Sequence, residues 1–258
     1  MLRQGDGEPV VLLHGVLDSE RDWTHVVPLL ADQYDVIAPT MLGHHGGPEP
    51  DSRPVTVGDL VEDVERQMDE LGIDQAHLAG NSLGGWVSLE LARRGRALSV
   101  CALSPAGAWG EDRPDFPRVV GMLRTAVRDT RRGRRLLPLL AHSGRFRHRA
   151  LAVAAAHGDR VSRADFIAGA DDVLGCTVQE DIFESGSILA PLDPAPCPVT
   201  IAWSEKDKVF PVDRYEAKVR QLVPQAEFKV LPDVGHVPMY DDPRLVADTI
   251  RAAAAKEG

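Results

Sequence analysis

An alternation of short apolar runs with helical periods constrains this chain more than any other feature. Runs at residues 10–13, 35–38, 76–79 and 98–103 are bounded by glycine, proline or polar residues, and segments with apolar residues every three or four positions lie between them. Runs that short read as buried strands, and the three-to-four spacing reads as amphipathic helix. Between residues 56 and 71 the positions Val57, Leu60, Val61, Val64, Met68 and Leu71 mark one helical face, and Gly72 closes it. Residues 23–31 also have helical character. The pattern resumes with strands at 199–203 and 227–231 and helices at 212–222 and 243–255. Strand and helix in short-linked alternation predict right-handed βαβ units. The expectation is an α/β fold, with a mostly parallel sheet of about six to seven strands and helices on both faces.

Between the two halves, residues 105–198 lose the strand pattern and become rich in arginine and alanine. This reads as a helical insertion, giving a core of residues 1–105 and 198–258 and a cap of residues 106–197. Ser162 with Asp165 resembles a capping box for one cap helix, and the proline-rich stretch 191–198 is the expected return linker. The insertion leaves after one strand and returns before the next, so it should roof the carboxyl edge of the sheet, where ligands bind in α/β folds. Its apolar residues Phe116, Met122, Leu136, Leu140, Phe146, Phe166 and Phe183 exceed what short surface helices need, and several are expected to line a pocket.

Composition narrows the function classes. With 258 residues, 43% hydrophobic and 26% charged, the chain can bury a sizeable core without metals or disulfides. Cys101, Cys176 and Cys197 are widely spaced with no C-x-x-C arrangement, so reduced thiols are expected. No apolar stretch approaches the roughly 20 residues of a bilayer crossing, and no basic-then-apolar leader is present. A soluble, cytoplasmic protein is expected, as a monomer or homodimer. A formal charge of -10 argues against nucleic acid as a partner. Charge is uneven, however: residues 113–149 carry eleven arginines against Asp115 and Asp129, whereas residues 150–195 are net acidic. Either the two halves of the cap pair with each other, or some arginines face the cleft and receive an anionic substrate.

The sharpest motif is Gly80-x-Ser82-x-Gly84, between the strand at 76–79 and a helix ending near Gly95. A tight strand-to-helix turn raises a serine above the sheet, and flanking glycines let backbone pass without a Cβ clash. The helix beginning at Leu83 would aim free N–H groups at an oxygen that gains charge during acyl transfer. A serine needs a base, and His236 follows the last strand on the same sheet edge. The base needs a carboxylate, and Asp207 lies just past the strand at 199–203; Glu205, Asp213 and Asp233 are its sequence neighbours and competitors. His14 reads as a packing residue, Trp86 likewise, and Asp18 as a loop-stabilising side chain that alternatively reaches the pocket mouth. His44-His45 are adjacent rather than four apart, so no metal site is expected.

Taken with His14-Gly15 after the first strand, Trp23, Gly43-His44 after the second, the Trp203 to Asp207 loop and Gly235-His236, the sequence resembles the α/β-hydrolase family over nearly its whole length. The order Ser82, Asp207, His236 is that family's nucleophile, acid, base order. The resemblance implies a triad of these three residues and an oxyanion hole from the backbone N–H groups of Val16 and Leu83, with no cofactor. Two departures stand out: Thr40 and Ser204 occupy positions where members often have aspartate and glycine. The N-terminus is also short, so the usual leading hairpin is expected to be cut down or missing. The implied activity is a serine hydrolase, an esterase acting on a small-molecule ester or related acyl substrate. Serine at the elbow argues against the family's dehalogenases and epoxide hydrolases, which place aspartate there. The alternative is a cofactor-free carbon–carbon bond hydrolase or lyase on an anionic substrate. A non-catalytic binding protein would be expected to have lost a triad member.

Overall fold

The computed structural model describes residues 1–110 and 115–256. Arg113, the first of the arginine run, lies outside the described residues. Strands β1 (Leu2–Gln4), β2 (Glu8–Leu13), β3 (Tyr34–Ala38), β4 (Ala76–Asn81), β5 (Ala97–Leu103), β6 (Val199–Ser204) and β7 (Glu227–Leu231) form one sheet in the order β1-β3-β2-β4-β5-β6-β7. Only β1 is antiparallel, pairing Leu2 with Ala38 and Gln4 with Val36. That strand lies in the segment where the leading hairpin is expected to be cut down or missing, and it has three residues. It is held by Arg3, which grips Asp35 of β3 with two hydrogen bonds of 3.0 and 2.6 Å.

Alternation along each strand divides the core into two layers. Val11, Leu13, Val100, Ala102, Ile201 and Trp203 face one side, and Val10, Leu12, Cys101, Leu103 and Ala202 face the other. The short helix α1 (Val27–Leu30) covers the second face. Helices α2 (Val57–Glu70) and α3 (Leu83–Arg93) cover the first. The helix expected over 23–31 is two pieces, a 3-10 turn over Glu20–Trp23 and then α1. Pro28 has no N–H to offer the preceding turn, so one helix cannot run through.

Between β5 and β6 lie α4 (Phe116–Gly133), α5 (Leu137–Leu140), α6 (Gly144–Ala150), α7 (Arg163–Gly175) and α8 (Gln179–Glu184). Ser162 caps α7, its side chain accepting the Asp165 N–H at 3.0 Å. After β6 come α9 (Val212–Leu222), the short α10 (Pro238–Asp241), which the sequence pattern does not announce, and α11 (Pro243–Ala254). Tyr215 and Val219 of α9 pack on the first face; Val246, Ala247 and Ile250 of α11 pack on the second. Among the described residues no helix is long and apolar enough to cross a membrane.

Candidate active site

Ser82 stands between the last residue of β4 and the first of α3, with φ 54° and ψ -113°. A side-chain-bearing residue adopts that backbone only where its surroundings enforce it. The enforcement comes from close backbone passage at two glycines. A Cβ on Gly84 would lie 2.1 Å from the Leu13 carbonyl oxygen, and one on Gly80 would lie 2.2 Å from the Gly84 backbone. The turn sets Ser82 in the wall of a cavity of about 940 Å³, together with Val16, Leu83 and His236.

His236 reaches that cavity from the loop between β7 and α10. Its Nδ1 lies 2.7 Å from Asp207 Oδ2. The other carboxylate oxygen, Asp207 Oδ1, accepts the N–H groups of Val209 at 2.8 Å and Phe210 at 2.7 Å. With both oxygens engaged the carboxylate cannot swing, and it fixes the imidazole with Nδ1 as donor and Nε2 as acceptor. The Phe210 ring meets the imidazole edge-to-face at 5.0 Å. The competing acids are placed elsewhere. Asp233 pairs with Lys206 and, at 2.9 Å, with His157, while Glu205 accepts the Asp233 N–H and Asp213 is exposed on α9. Among the described residues the Ser82 hydroxyl makes no hydrogen bond, a relaxed geometry common where no substrate aligns nucleophile and base.

Val16 and Leu83 line the same cavity as Ser82, and among the described residues neither N–H has a recorded acceptor. Leu83 is the first residue of α3 and has no carbonyl a turn below it; Val16 N–H has no backbone acceptor among the described residues. The Val16 loop is held by His14. Its Nδ1 lies 2.7 Å from the Gly15 carbonyl and its Nε2 accepts the Met41 N–H at 3.0 Å, so the ring is neutral with Nδ1 protonated. Burial, and then the neighbouring His44, push its pKa well below the ordinary value. Burial likewise lowers His44 to about 4. Both histidines are therefore structural at neutral pH, as expected for His14.

Asp18 reaches the cavity and also contacts a second carboxyl. It lines the cavity, and its carboxyl is in hydrogen-bonding contact with that of Asp22. Asp22 is buried and accepts the Tyr240 hydroxyl at 2.7 Å, and Tyr240 also lines the cavity. Burial, with Asp22 and Asp172 nearby, raises the Asp18 pKa well above the carboxylate range, and burial raises Asp22 to about 7.

Three residues that support this geometry carry no sequence signal. Asn81 donates to the His236 carbonyl at 2.8 Å. Asp241 accepts the N–H groups of Gly235, Ala156 and His157 at 2.7 to 2.9 Å, tying the histidine loop to the cap. Phe210 packs on the imidazole. None is recognisable by spacing, because each acts on residues brought to it by the fold.

The cap supplies the rest of the wall. Phe116, Met122, Leu140, Phe146, Phe166 and Phe183 line the cavity, and Trp86 does so from α3. Leu136 does not: it is 58% exposed, because Leu137 and Ala141 take the inward positions of that turn. The arginine run is divided. Arg124 pairs with Glu180 and Glu184, and Arg134 with Asp171 at 2.6 Å. Arg118 borders the cavity but donates to the carbonyls of Lys208 and Val209.

Comparison with known proteins agrees with this architecture. Residues 10–249 match the Alpha/beta hydrolase family. Over 205 residues, 74% of this chain and 91% of the relative, the sequence is 32% identical to the epoxide hydrolase EphH of Mycobacterium tuberculosis (strain ATCC 25618 / H37Rv). Two solved structures share the fold. A thermophilic esterase from Thermogutta terrifontis superposes with a TM-score of 0.71 at 23% identity, covering 97% of this chain and 90% of the other. The 2-hydroxy-6-oxo-6-phenylhexa-2,4-dienoate hydrolase of Rhodococcus sp. strain RHA1 does so with a TM-score of 0.71 at 23% identity, covering 96% and 92%. By the extent of the family match and of the mycobacterial relative, this chain belongs to the alpha/beta hydrolase family.

Proposed function

We propose that the chain is a serine hydrolase that cleaves carboxylic esters through an acyl-enzyme, with Ser82 as nucleophile, His236 as base and Asp207 as its orienting acid. The observation that carries this reading is the doubly anchored Asp207 carboxylate, 2.7 Å from His236 Nδ1, in a site whose other wall holds Ser82 in a forced conformation. His236 Nε2 takes the Ser82 proton as Oγ bonds to the ester carbonyl carbon. The oxyanion is met by the N–H groups of Val16 and Leu83. The carbon–oxygen bond breaks, His236 returns the proton to the leaving alcohol, and an acyl-serine remains. Water, deprotonated by the same base, then releases the acid and restores the Ser82 hydroxyl.

Two other activities suggested by relatives are less well supported by these residues. Attack of a serine on an epoxide carbon would give an ether, which a histidine-activated water cannot hydrolyse; a carboxylate nucleophile would give a hydrolysable ester. The carbon–carbon hydrolase or lyase reading needs cationic side chains free to bind an anion deep in the cleft. Among the described residues the cavity wall holds two arginines: Arg118 is occupied by carbonyls, and Arg149, though unpaired, is exposed at the surface rather than deep in the cleft; Arg124 and Arg134 lie outside the wall and are paired with cap acids.

A fluorophosphonate should label Ser82 stoichiometrically, located by mass spectrometry; a label elsewhere, or none on folded protein, would remove the assignment. Ser82→Ala and His236→Ala should each lower kcat toward chromogenic esters by roughly 10⁴-fold or more, and the double variant should lose little further because the pair acts as a unit. Faster turnover of an anionic ring-cleavage dienone than of any ester would favour the carbon–carbon reading.

A further inference from the structure

The stretch joining α4 to α6 is apolar on two faces, and only one is covered. Leu137 and Ala141, four apart, are buried against Val161, Phe166 and Ala170. Leu136, Leu139 and Leu140, spaced three and four apart, form the opposite face and are 58%, 71% and 36% exposed. A soluble surface scatters its exposed leucines; three on one helical face mark a contact surface.

Charge around these leucines is equally one-sided. No Asp or Glu occurs between residues 130 and 158, whereas seven arginines do. Two have internal roles: Arg134 binds Asp171, and Arg147 donates to the carbonyls of Ala141, Asp159 and Val161. Arg131, Arg132, Arg135, Arg145 and Arg149 are exposed and have no acidic partner among the described residues. Favourable placement at the C-terminus of α4 accounts for Arg131 and Arg132 at most. The surface is continuous with the cavity, since Leu140, Arg149 and Val153 are both exposed and part of its wall.

From this juxtaposition we infer that the leucine face and its unpaired arginines dock the cap on an anionic lipid surface, with the cavity mouth opening toward the bilayer. Lipid supplies both complements at once: acyl chains for the leucines and headgroup phosphates for the arginines. A second copy of this chain fits poorly, because a two-fold contact through the same patch would bring two sets of unpaired arginines together. Among the described residues no helix is long and apolar enough to cross a bilayer, and lying on one needs no such helix. The inference goes beyond ester hydrolysis and does not depend on it.

Sedimentation with vesicles tests it. The full chain should bind vesicles of phosphatidylcholine mixed with phosphatidylglycerol, bind phosphatidylcholine alone much less, and detach as salt rises. Arg131→Gln, Arg132→Gln and Arg135→Gln should each weaken binding, by roughly fivefold. The double variant Leu136→Ser with Leu139→Ser should lose roughly tenfold or more. None of these residues borders the cavity, so turnover of a water-soluble short-chain ester should be unchanged, and Ser82→Ala should bind vesicles like the wild type. No binding to either vesicle, or binding indifferent to all of these substitutions, would overturn the inference. So would conversion of a dimer to a monomer by the leucine variant with vesicle binding intact, which would assign the face to a second copy.

Discussion

At Asp22 a carboxyl is buried beside a second carboxyl, and the fold prefers that it keep a proton. Its pKa near 7, against about 4 in an unfolded chain, has a defined sign. The stability gained by holding that proton is complete below about pH 4 and is lost as pH rises through about 7. Asp22→Asn keeps an acceptor for the Tyr240 hydroxyl and removes the ionisation. Its thermal midpoint should therefore gain on the wild type between about pH 5 and about pH 8, by about 2–4 °C per kcal/mol in a domain of this size. A difference independent of pH would mean that Asp22 stays charged throughout. Gly84→Ala is a sharper case, since the new Cβ would meet the Leu13 carbonyl at 2.1 Å. It should destabilise by more than about 3 kcal/mol, well beyond Gly95→Ala, which meets no neighbour and bears only the cost of its left-handed φ. Chemical denaturation of the two variants makes the comparison. Gly80 and Gly84 were legible because the motif around Ser82 itself calls for them, even though the Leu13 carbonyl that Gly84 passes lies on another strand. The Asp18–Asp22 contact was not, because no period or spacing announces two carboxyls sharing a proton.

Among the elements, the loop carrying His236 and the short α10 behind it depend on one side chain. Asp241 gathers three N–H groups from two segments that are far apart in sequence. Asp241→Ala would leave those donors without their charged acceptor, at a cost of about 2–4 kcal/mol. Because Gly235 precedes His236, the proposed base, kcat should fall more than KM rises, whereas Asp241→Asn, with one acceptor oxygen left, should recover part of both stability and rate. Equal loss of stability with unchanged kcat would make Asp241 a structural tie only. The elements that a sequence displays are those with their own period. The helix at Val57–Glu70 and the parallel strands have one, whereas β1 has three residues stabilised by a distant Asp35, and α10 is a single turn. The segment 23–31 misled because its apolar residues keep a helical spacing across Pro28, which interrupts the backbone hydrogen bonding that periodicity does not register.

Over the whole molecule, if Ser82 is the nucleophile as proposed, the sheet and its elbow hold it while helices α4 to α8 supply most of the cavity wall, so the two contributions should be separable by substitution. Ser82, Phe116, Met122, and Phe166 and Gly169 of α7 all line the cavity, whose wall is mainly apolar. A wall of that kind selects by how many methylenes it removes from water, about 0.8 kcal/mol or roughly fourfold in kcat/KM for each. Gly169 offers a way to shorten the cavity without strain. It lies inside a helix, and a Cβ there would have only the Tyr240 hydroxyl within contact range, at 3.8 Å. Gly169→Leu should therefore keep or raise the thermal midpoint, since leucine is the better helix former by about 0.8 kcal/mol. Its side chain would occupy cavity volume now open to substrate. With p-nitrophenyl esters of rising chain length, the variant should match the wild type on short acyl groups and fall behind progressively on long ones. Fluorophosphonate labelling of Ser82 should proceed at the wild-type rate, because activation of the serine resides in the core. Uniform loss across all chain lengths would show instead that α7 positions the catalytic residues, and an unchanged chain-length profile would place the acyl group in a part of the cavity away from Gly169.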